Sequence, residues 1–375
     1  MNSKLPDVGT SIFTIMSKLA LEHNAINLAQ GFPNFPVDER LIEIVKEVSS
    51  ENFHQYAAMG GNLTLLEQIQ ELTLNSYQRK ITNEEILITA GATQGIFTTI
   101  QALIHTEDKV IIIDPAYDCY APAVRLAGGI PVHVSMQEDF TVDWNKVNDS
   151  IDEKCKMLII NNPHNPSGKI LNENDLNSIF QIVQKNPQLY LLADEVYEYI
   201  VFGEKHLSIN LYKKLHDKSI IVSSFGKTFH VTGWKIAYLI APKNIMEEIK
   251  KVHQYLVFSV NSIAQESIHR YLKIVNVKNL SKEYLIKRDF FSSSLKQSLF
   301  TLLPCEGTYF QCVSYEKIST QTDVQFSREL VQKHRVAVIP LSVFYKTPPK
   351  NQILRLCFAK DQNTLTKVAE ILSSI

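Results

Sequence analysis

The sequence lacks a long apolar run, a cysteine pair and an excess of either charge, and each absence excludes a class of protein. No uninterrupted apolar stretch approaches the roughly 18 residues of a membrane span. The 375 residues include only 5 cysteines, with no C-x-x-C pair, and 11 histidines, with no H-E-x-x-H motif. These patterns argue against a disulfide framework and a metal site. We therefore expect no bound metal and no membrane partner.

The positive and negative charges nearly balance, with 38 lysines and arginines against 39 aspartates and glutamates. A formal net charge of −1 gives no electrostatic footprint for a polyanion, so we expect no nucleic-acid partner. The amino terminus lacks the apolar stretch of a signal peptide. Together with scattered, reduced thiols, this favours a cytoplasmic location.

Short apolar runs alternate with amphipathic stretches between about residues 85 and 240. Uniformly apolar strands are typical of a sheet that is covered on both faces, and the stretches between them show helical spacing. The runs are residues 86–88, 110–113, 157–160, 189–192, 220–222 and 236–240. We therefore predict an α/β fold with a mostly parallel, doubly wound sheet, in which ligands bind at the carboxyl ends of the strands.

The carboxyl-terminal third mixes helices and strands in a different order. We predict helices at 282–298 and 323–334 and a final helix containing Leu365 and Leu372, with strands at 308–314, 336–339 and 353–358. This order indicates a smaller α+β domain. We predict a large domain of residues 40–275, which carries the ligand site, and a small domain built from both termini, residues 1–39 and 276–375.

The stretch Gly226-Lys227-Thr228 follows an apolar run and has two interpretations. A phosphate-binding loop of a nucleotide hydrolase needs a glycine five residues before Gly226, but Ile221 stands there. The acidic strand end at 189–195 also precedes this stretch, whereas in such enzymes the phosphate loop comes first. These two failures leave Lys227 as a candidate for covalent chemistry.

A cofactor with an aldehyde, a pyridine ring and a phosphate needs a lysine, a carboxylate and phosphate donors from its protein. Lys227, Asp194 and the turn at 89–95, "TAGATQG", supply these groups at predicted strand ends. The turn leads into a helix whose amino terminus favours an anion. Taken singly, each has an alternative: a surface lysine, an internal salt bridge and a structural turn. Their combination favours the cofactor.

Seven motifs together resemble the class I pyridoxal-phosphate aminotransferases of aspartate aminotransferase fold, and within them the methionine and kynurenine aminotransferase subgroup. The resemblance runs from about residue 9 to the end of the chain. The motifs are "NLAQGFPNFP" (27–36), "DPAYDCY" (114–120), "NNPHNPSGK" (161–169), "ADEVYE" (193–198), "SSFGKTFHVTGWKIAYLIAP" (223–242), "PCEGTYF" (304–310) and "LRLCFAKD" (354–361).

The resemblance implies roles for the residues around pyridoxal 5′-phosphate. Lys227 would form the Schiff base and then act as general acid and base, and Asp194 would keep the pyridine nitrogen protonated. Tyr197, the third expected catalytic residue, and Asn165 would hydrogen-bond the phenolic oxygen, and Tyr117 would stack on the ring. The implied phosphate site comprises Gly91, Ala92, Thr93, Ser224, Lys235 and Tyr56. Tyr56 would come from a second subunit, so we expect a homodimer with active sites at the subunit interface.

The resemblance also implies a substrate site. Arg355 would bind the α-carboxylate because a buried guanidinium needs an anion and matches a carboxylate with two hydrogen bonds. Gly31 and Asn165 would contact the same substrate. The implied walls of the side-chain pocket are Phe13, Tyr56 and Phe258. We cannot identify the second arginine that dicarboxylate-specific members carry, which favours an apolar substrate.

We therefore expect an aminotransferase that moves the amino group of L-methionine or an aromatic L-amino acid to a 2-oxo acid. Kynurenine-type members often carry a tryptophan and a tyrosine where this chain has Phe13 and Thr93, which favours methionine. Two alternatives keep the cofactor: a kynurenine–oxoglutarate transaminase and a cysteine-S-conjugate β-lyase. A third, a regulatory module that senses an amine, is disfavoured because the fold accounts for the whole chain and leaves no DNA-binding domain.

Overall fold

The computed structural model describes residues 2–203 and 205–375. The α-helices are α1 Ile12–Glu22, α2 Glu39–Ser50, α3 Leu63–Tyr77, α4 Ala92–Leu103, α5 Tyr120–Leu126, α6 Trp144–Asp149, α7 Glu173–Lys185, α8 Phe225–Thr228, α9 Lys243–Leu256, α10 Ser262–Leu272, α11 Leu280–Ser294, α12 Asp323–His334 and α13 Gln362–Ser373. The strands are β1 Ile26–Asn27, β2 Ile86–Thr89, β3 Lys109–Asp114, β4 Ile130–Ser135, β5 Cys155–Asn161, β6 Tyr190–Asp194, β7 Ser219–Ser223, β8 Ala237–Ile240, β9 Thr301–Leu302, β10 Phe310–Ser314, β11 Val336–Ala337, β12 Ile339–Pro340 and β13 Ile353–Cys357. No helix in this part of the chain is both long and apolar enough to cross a membrane.

A seven-stranded sheet has the order β2-β8-β7-β6-β5-β3-β4. Its strands pair in parallel except β8, which runs antiparallel to both of its neighbours. This arrangement confirms the predicted α/β fold with a mostly parallel sheet.

Apolar side chains cover both faces of this sheet. Along β6, Leu191 packs into one core cluster and Leu192 into the other, on opposite faces. Helices α4 and α9 contribute Ile96 and Ile249 to the cluster that contains Leu192, and α7 contributes Ile179 to the cluster that contains Leu191. Because both faces are buried there, the central strands have no polar face, which explains their apolar sequences.

Two smaller sheets contain the remaining strands. One is antiparallel with the order β12-β13-β10-β9, and the other pairs β1 with β11 in parallel. Their strands come from residues 26–27 and 301–357, within the predicted small domain. The domain boundaries themselves stay a prediction.

Some predicted elements are wrong in detail. The single strand predicted at 336–339 is two short strands, because β11 pairs with β1 while β12 pairs with β13 in another sheet. The strand β4 was not predicted. It lies at the edge of the large sheet, contains Pro131 and His133, and is largely solvent-accessible, so it lacks the apolar sequence of the central strands.

Candidate active site

A cavity of about 310 Å³ lies at the carboxyl ends of the parallel strands. We call it the main cavity because the predicted site residues line it, although a cavity of about 690 Å³ lies elsewhere in the described chain. Strands β5, β6 and β7 end at Asn161, Asp194 and Ser223 beside it, and the turn between β2 and α4 closes one side. Predicted site residues that line this cavity are Phe13, Gly31, Gly91, Ala92, Thr93, Tyr117, Asn165, Asp194, Tyr197, Ser224, Lys227, Lys235 and Arg355. The structure thus brings together residues that lie far apart in the sequence.

Lys227 lies on α8, a single helical turn that directly follows β7. Its Nζ is 3.5 Å from the carbonyl oxygen of Gly31, and 5.7 and 5.9 Å from the ring centroids of Tyr197 and Tyr309. Burial lowers the pKa of Lys227 to about 8, and the positive charges of Arg355 and Lys235 act in the same direction. A sizeable fraction of this amine is therefore neutral near physiological pH, as a nucleophile requires.

Asp194 ends β6 with only 4% of its surface exposed. The hydroxyl of Tyr120 donates to its Oδ2 at 2.6 Å. Burial raises the pKa of Asp194 to about 6, and the hydrogen bond from Tyr120 opposes that rise. Among the described residues no lysine, arginine or histidine lies within 4.0 Å of this carboxylate. The internal salt bridge considered as an alternative is therefore not formed there.

Arg355 lies in the middle of β13 and is 0% exposed. Its Nη1 donates to Asn165 Oδ1 at 2.7 Å, its Nη2 donates to the carbonyl of Ala29 at 3.1 Å, and its Nε has no partner in the described chain. The guanidinium lies 3.9 Å from the ring centroid of Phe310. Burial lowers the pKa of Arg355, but a guanidinium stays charged at neutral pH. Within residues 2–203 and 205–375 no carboxylate pairs with it.

A chain of amide hydrogen bonds links the guanidinium of Arg355 to the backbone of Asp194. The side chain of Asn161 donates to the carbonyl of Asp194 at 2.8 Å and accepts from the backbone N–H of Asn165 at 2.7 Å. Asn165 in turn accepts from Arg355. The sequence analysis did not identify Asn161. Its hydrogen-bond partner Asp194 lies 33 positions away in the sequence, so no local pattern indicates the contact.

The amino terminus of α4 forms the third part of the cavity. Gly91 precedes the helix with φ +82°, and no side chain of the described residues caps its first N–H groups. A Cβ at Gly91 would lie 3.0 Å from Cε of Lys235. The absence of a side chain at residue 91 therefore leaves room for the side chain of Lys235. Thr93 Oγ1 and the hydroxyl of Tyr117 are 3.4 Å apart beside it. Free N–H groups, a helix dipole and a lysine suit a phosphate.

Gly31 brings its backbone close to Lys227 and to the small antiparallel sheet. Its carbonyl accepts a hydrogen bond from the hydroxyl of Tyr309 at 2.7 Å. A Cβ at Gly31 would lie 2.8 Å from Cζ of Phe310. A side chain here would therefore displace the ring that stacks on Arg355.

Comparison with known proteins identifies the family. The model of the family described as "Aminotransferase class I and II" matches residues 23–372. The chain belongs to this family. The aminotransferase is 43% identical to the methionine aminotransferase of Escherichia coli over all of this chain and 98% of that protein. It is 31% identical to the kynurenine–oxoglutarate transaminase of Dictyostelium discoideum, over 96% of this chain and 92% of that protein.

The fold comparison agrees. A crystal structure from Escherichia coli, described as identifying a methionine aminotransferase function, superposes with a TM-score of 0.98 at 42% identity, and covers 100% of this chain and 99% of that one. The resemblance inferred from the sequence motifs is thus confirmed at the level of family and fold.

Two predicted site residues lie outside the main cavity of this aminotransferase chain. Tyr56 and Phe258 are 84% and 47% exposed, and their rings meet edge to face with centroids 5.6 Å apart. A single chain therefore does not bring them to the cavity.

Several cavity residues were missed by the sequence analysis. They are Gln30, Phe32, Ile96, Asn161, Val196, Gly226, Thr232, Ile236 and Phe310. Most are neighbours of predicted residues within the same motifs, so proximity to those motifs was the available signal.

The part of the chain that the structure describes contains no group of three or more histidine, cysteine, aspartate or glutamate side chains suited to a metal ion.

Proposed function

We propose that this aminotransferase uses pyridoxal 5′-phosphate to move the amino group of L-methionine or an aromatic L-amino acid to a 2-oxo acid. The observation that carries the proposal is the composition of the main cavity. A lysine with a pKa near 8, a buried carboxylate and a helix amino terminus line the same space. Among the described residues, the carboxylate has no ion-pair partner and no side chain caps the helix. These are the groups that the aldehyde, the ring nitrogen and the phosphate of the cofactor require.

The residues present fit the cofactor in chemical type. When bound, pyridoxal phosphate supplies an aldehyde that condenses with amines and a pyridine ring that accepts electrons. Asp194 would hold the ring nitrogen protonated, and Tyr117 would pack against the ring. Tyr197 and Asn165 would hydrogen-bond the phenolic oxygen. The residues proposed to bind the phosphate are Gly91, Ala92, Thr93, Ser224 and Lys235.

Lys227 would serve two purposes. Its neutral amine would hold the cofactor covalently. After release it would move the proton from the substrate Cα to the aldehyde carbon of the cofactor, and in the second half of the reaction it would move a proton back to Cα. General acid–base catalysis works best when the pKa lies near the working pH. The lowered pKa of Lys227, about 8, meets that condition, whereas an exposed lysine would remain protonated.

The same cavity supports an apolar amino acid as substrate. Arg355 would bind the α-carboxylate, with Gly31 and Asn165 beside it. Arg355 is the sole arginine among the described residues that line the cavity, so no second guanidinium is available there for a distal carboxylate. Phe13 and Phe310 provide apolar walls, and burying a thioether or aromatic side chain against them would contribute roughly 1.5 to 3 kcal/mol.

Single half-reactions test this function directly. Purified protein with pyridoxal phosphate should show amino-acid-dependent bleaching of the bound chromophore that is fastest with methionine, phenylalanine and tyrosine. Lys227→Ala provides the matched inactive control. Rapid turnover of aspartate with almost none of methionine or the aromatic amino acids would contradict the proposal.

Two outcomes of the same screen would favour another reaction. Faster turnover of kynurenine than of methionine would favour a kynurenine–oxoglutarate transaminase, a function named for several relatives of this chain. Release of pyruvate and ammonia from a cysteine S-conjugate without any 2-oxo acid would favour a β-lyase.

We further propose that the active unit is a homodimer in which Tyr56 of one subunit reaches the phosphate site of the other, with Phe258 near the second cavity. The exposed positions of both aromatic side chains support this proposal. Light scattering should give twice the mass of the chain. Tyr56→Phe should weaken cofactor binding, and a monomer with full cofactor affinity would contradict the dimeric site.

A further inference from the structure

A segment of the amino-terminal part, residues 28–36 and here called the mouth segment, runs beside β13 and the residues after it. The carbonyl of Leu28 accepts from the N–H of Cys357 at 2.9 Å. Further along, the carbonyl of Phe32 accepts from Lys360 Nζ at 2.8 Å, and Asn34 Oδ1 accepts from the N–H of Asp361 at 2.7 Å. The mouth segment therefore follows the strand that carries the proposed carboxylate-binding arginine.

Lys360 is an unusual lysine within this arrangement. It is 3% exposed, yet in the described part of the chain no carboxylate lies within 4.0 Å of its ammonium. Its Nζ donates to the carbonyl of Phe32 and lies 5.0 Å from the centroid of the Phe32 ring. Burying an ammonium without a counter-ion costs free energy. Within the described chain, the hydrogen bond and the cation–π contact of this ammonium both go to Phe32.

Phe32 is unusual in the opposite sense, because it is an apolar residue that is exposed. It is a large aromatic residue with 44% of its surface exposed, and it lines the main cavity next to Gly31. An aromatic ring that stays accessible while it lines a cavity presents an apolar surface to a ligand. The neighbouring carbonyl of Gly31 accepts from Tyr309 at 2.7 Å, so the backbone on one side of Phe32 is held by that hydroxyl and its own carbonyl by Lys360.

We propose that Phe32 determines specificity by contacting the apolar side chain of the amino-acid substrate, and that Lys360 is a positioning residue that fixes Phe32 through its carbonyl. This inference rests on the proposed transfer of an amino group from an apolar amino acid. It assigns selection for long or aromatic side chains over short ones to the mouth segment. The substrate carboxylate would be held at Arg355, which the substitutions at Phe32 and Lys360 leave in place.

The experiment compares kcat/KM for methionine with kcat/KM for alanine in five proteins: wild type, Phe32→Ala, Lys360→Met, the double variant and Lys287→Met. Phe32→Ala should lower the methionine-to-alanine ratio about tenfold, a typical discrimination for a few apolar contacts. Lys360→Met should lower it severalfold, mostly through KM for methionine. The double variant should match Phe32→Ala, because a missing ring cannot be mispositioned.

Lys287→Met is the matched control. Lys287 Nζ donates to the carbonyl of Lys360 at 3.0 Å and lies 4.3 Å from the Phe35 ring centroid, so it supports the same region without contacting Phe32 itself. Its methionine-to-alanine ratio should stay at the wild-type value. An equal loss in this variant would show that the region as a whole matters and would overturn the specific role of Lys360.

Two further results would overturn the inference. An unchanged ratio in Phe32→Ala would remove Phe32 from specificity, and a double variant that multiplies the two single losses would show that Lys360 does not act through Phe32. If Lys360→Met fails to fold, Lys360→Arg, which retains a donor, should keep the wild-type ratio while Phe32→Ala loses it. Failure of the wild type to transaminate methionine would instead contradict the proposed function.

Discussion

Replacing Arg355 by lysine separates its proposed binding of the substrate carboxylate from a purely structural role. A guanidinium has five N–H donors, and two hydrogen bonds within the described chain are recorded for Arg355, to Asn165 and Ala29. Three N–H groups remain, including the unpartnered Nε. That number is sufficient for a carboxylate bound through two hydrogen bonds.

Lysine keeps the positive charge but lacks the paired N–H donors of a guanidinium. Arg355→Lys should therefore remove at least one charge-assisted hydrogen bond to the substrate. Such a bond contributes about 1.5 to 3 kcal/mol, and about 1.4 kcal/mol corresponds to a factor of ten. We therefore expect kcat/KM for methionine to fall roughly 10- to 160-fold. Loss of cofactor binding is not expected, since the proposed phosphate and ring contacts involve other residues.

The decisive assay measures half-reactions with two amines: methionine and the amine that remains when methionine loses its carboxylate. If Arg355 binds the carboxylate, the substitution should slow the reaction of methionine and leave the slow reaction of the simple amine nearly unchanged. An equal loss for both amines would refute the reasoning, because it would mean that the substitution disturbs the cavity and not one contact.

Three further predictions concern the cofactor. Lys227→Ala should abolish covalent attachment, so that borohydride reduction followed by mass spectrometry finds no modified chain; a modified variant would contradict the assignment. In the wild type, the attachment rate should rise with pH and level off above about 8, because the neutral amine predominates only above the lowered pKa of Lys227; a rate that keeps rising to the pKa of a free lysine would contradict it. Asp194→Asn should weaken cofactor binding about tenfold or more well above pH 6 and little below it, because the wild-type carboxyl, with its pKa raised to about 6, is itself protonated there. Titration of both proteins in parallel removes the pH dependence of the cofactor phosphate, and an equal deficit at every pH would exclude the charge as the cause.

The parts of the site that could be predicted share one physical origin. Parallel strands direct their carboxyl ends to one edge of the sheet, so Asp194 after one apolar run and Lys227 after another had to approach the same edge. The glycine turn before α4 could be placed there by the same argument. The central strands were recognisable because burial on both faces leaves no polar residues in their sequences.

The missed residues depend on tertiary contacts that leave no local pattern. Tyr120 meets Asp194 across 74 positions, and Lys360 meets Phe32 across 328. The direction of β8 was equally inaccessible, because a short apolar strand reads the same in parallel and antiparallel pairing. Tyr56 and Phe258 illustrate a third limit, since one chain does not carry them to the main cavity and their proposed role needs a second copy.

The charges that surround the main cavity would be poorly arranged for a core without a ligand. Asp194 and Arg355 are both buried, both line the same space, and neither has an ion-pair partner within the described chain. Burial disfavours the charged forms of the titratable side chains in this cavity. It raises the pKa of Asp194 to about 6, and it lowers the pKa of Lys227, which lines the same cavity, to about 8. At neutral pH, Asp194 lowers the stability of the protein without a ligand. A carboxyl group whose pKa is raised in the folded state makes folding less favourable as the pH rises through that pKa. A ligand with a cationic ring nitrogen and a substrate with a carboxylate would supply the missing partners, and their binding would recover the free energy that desolvation of these side chains costs.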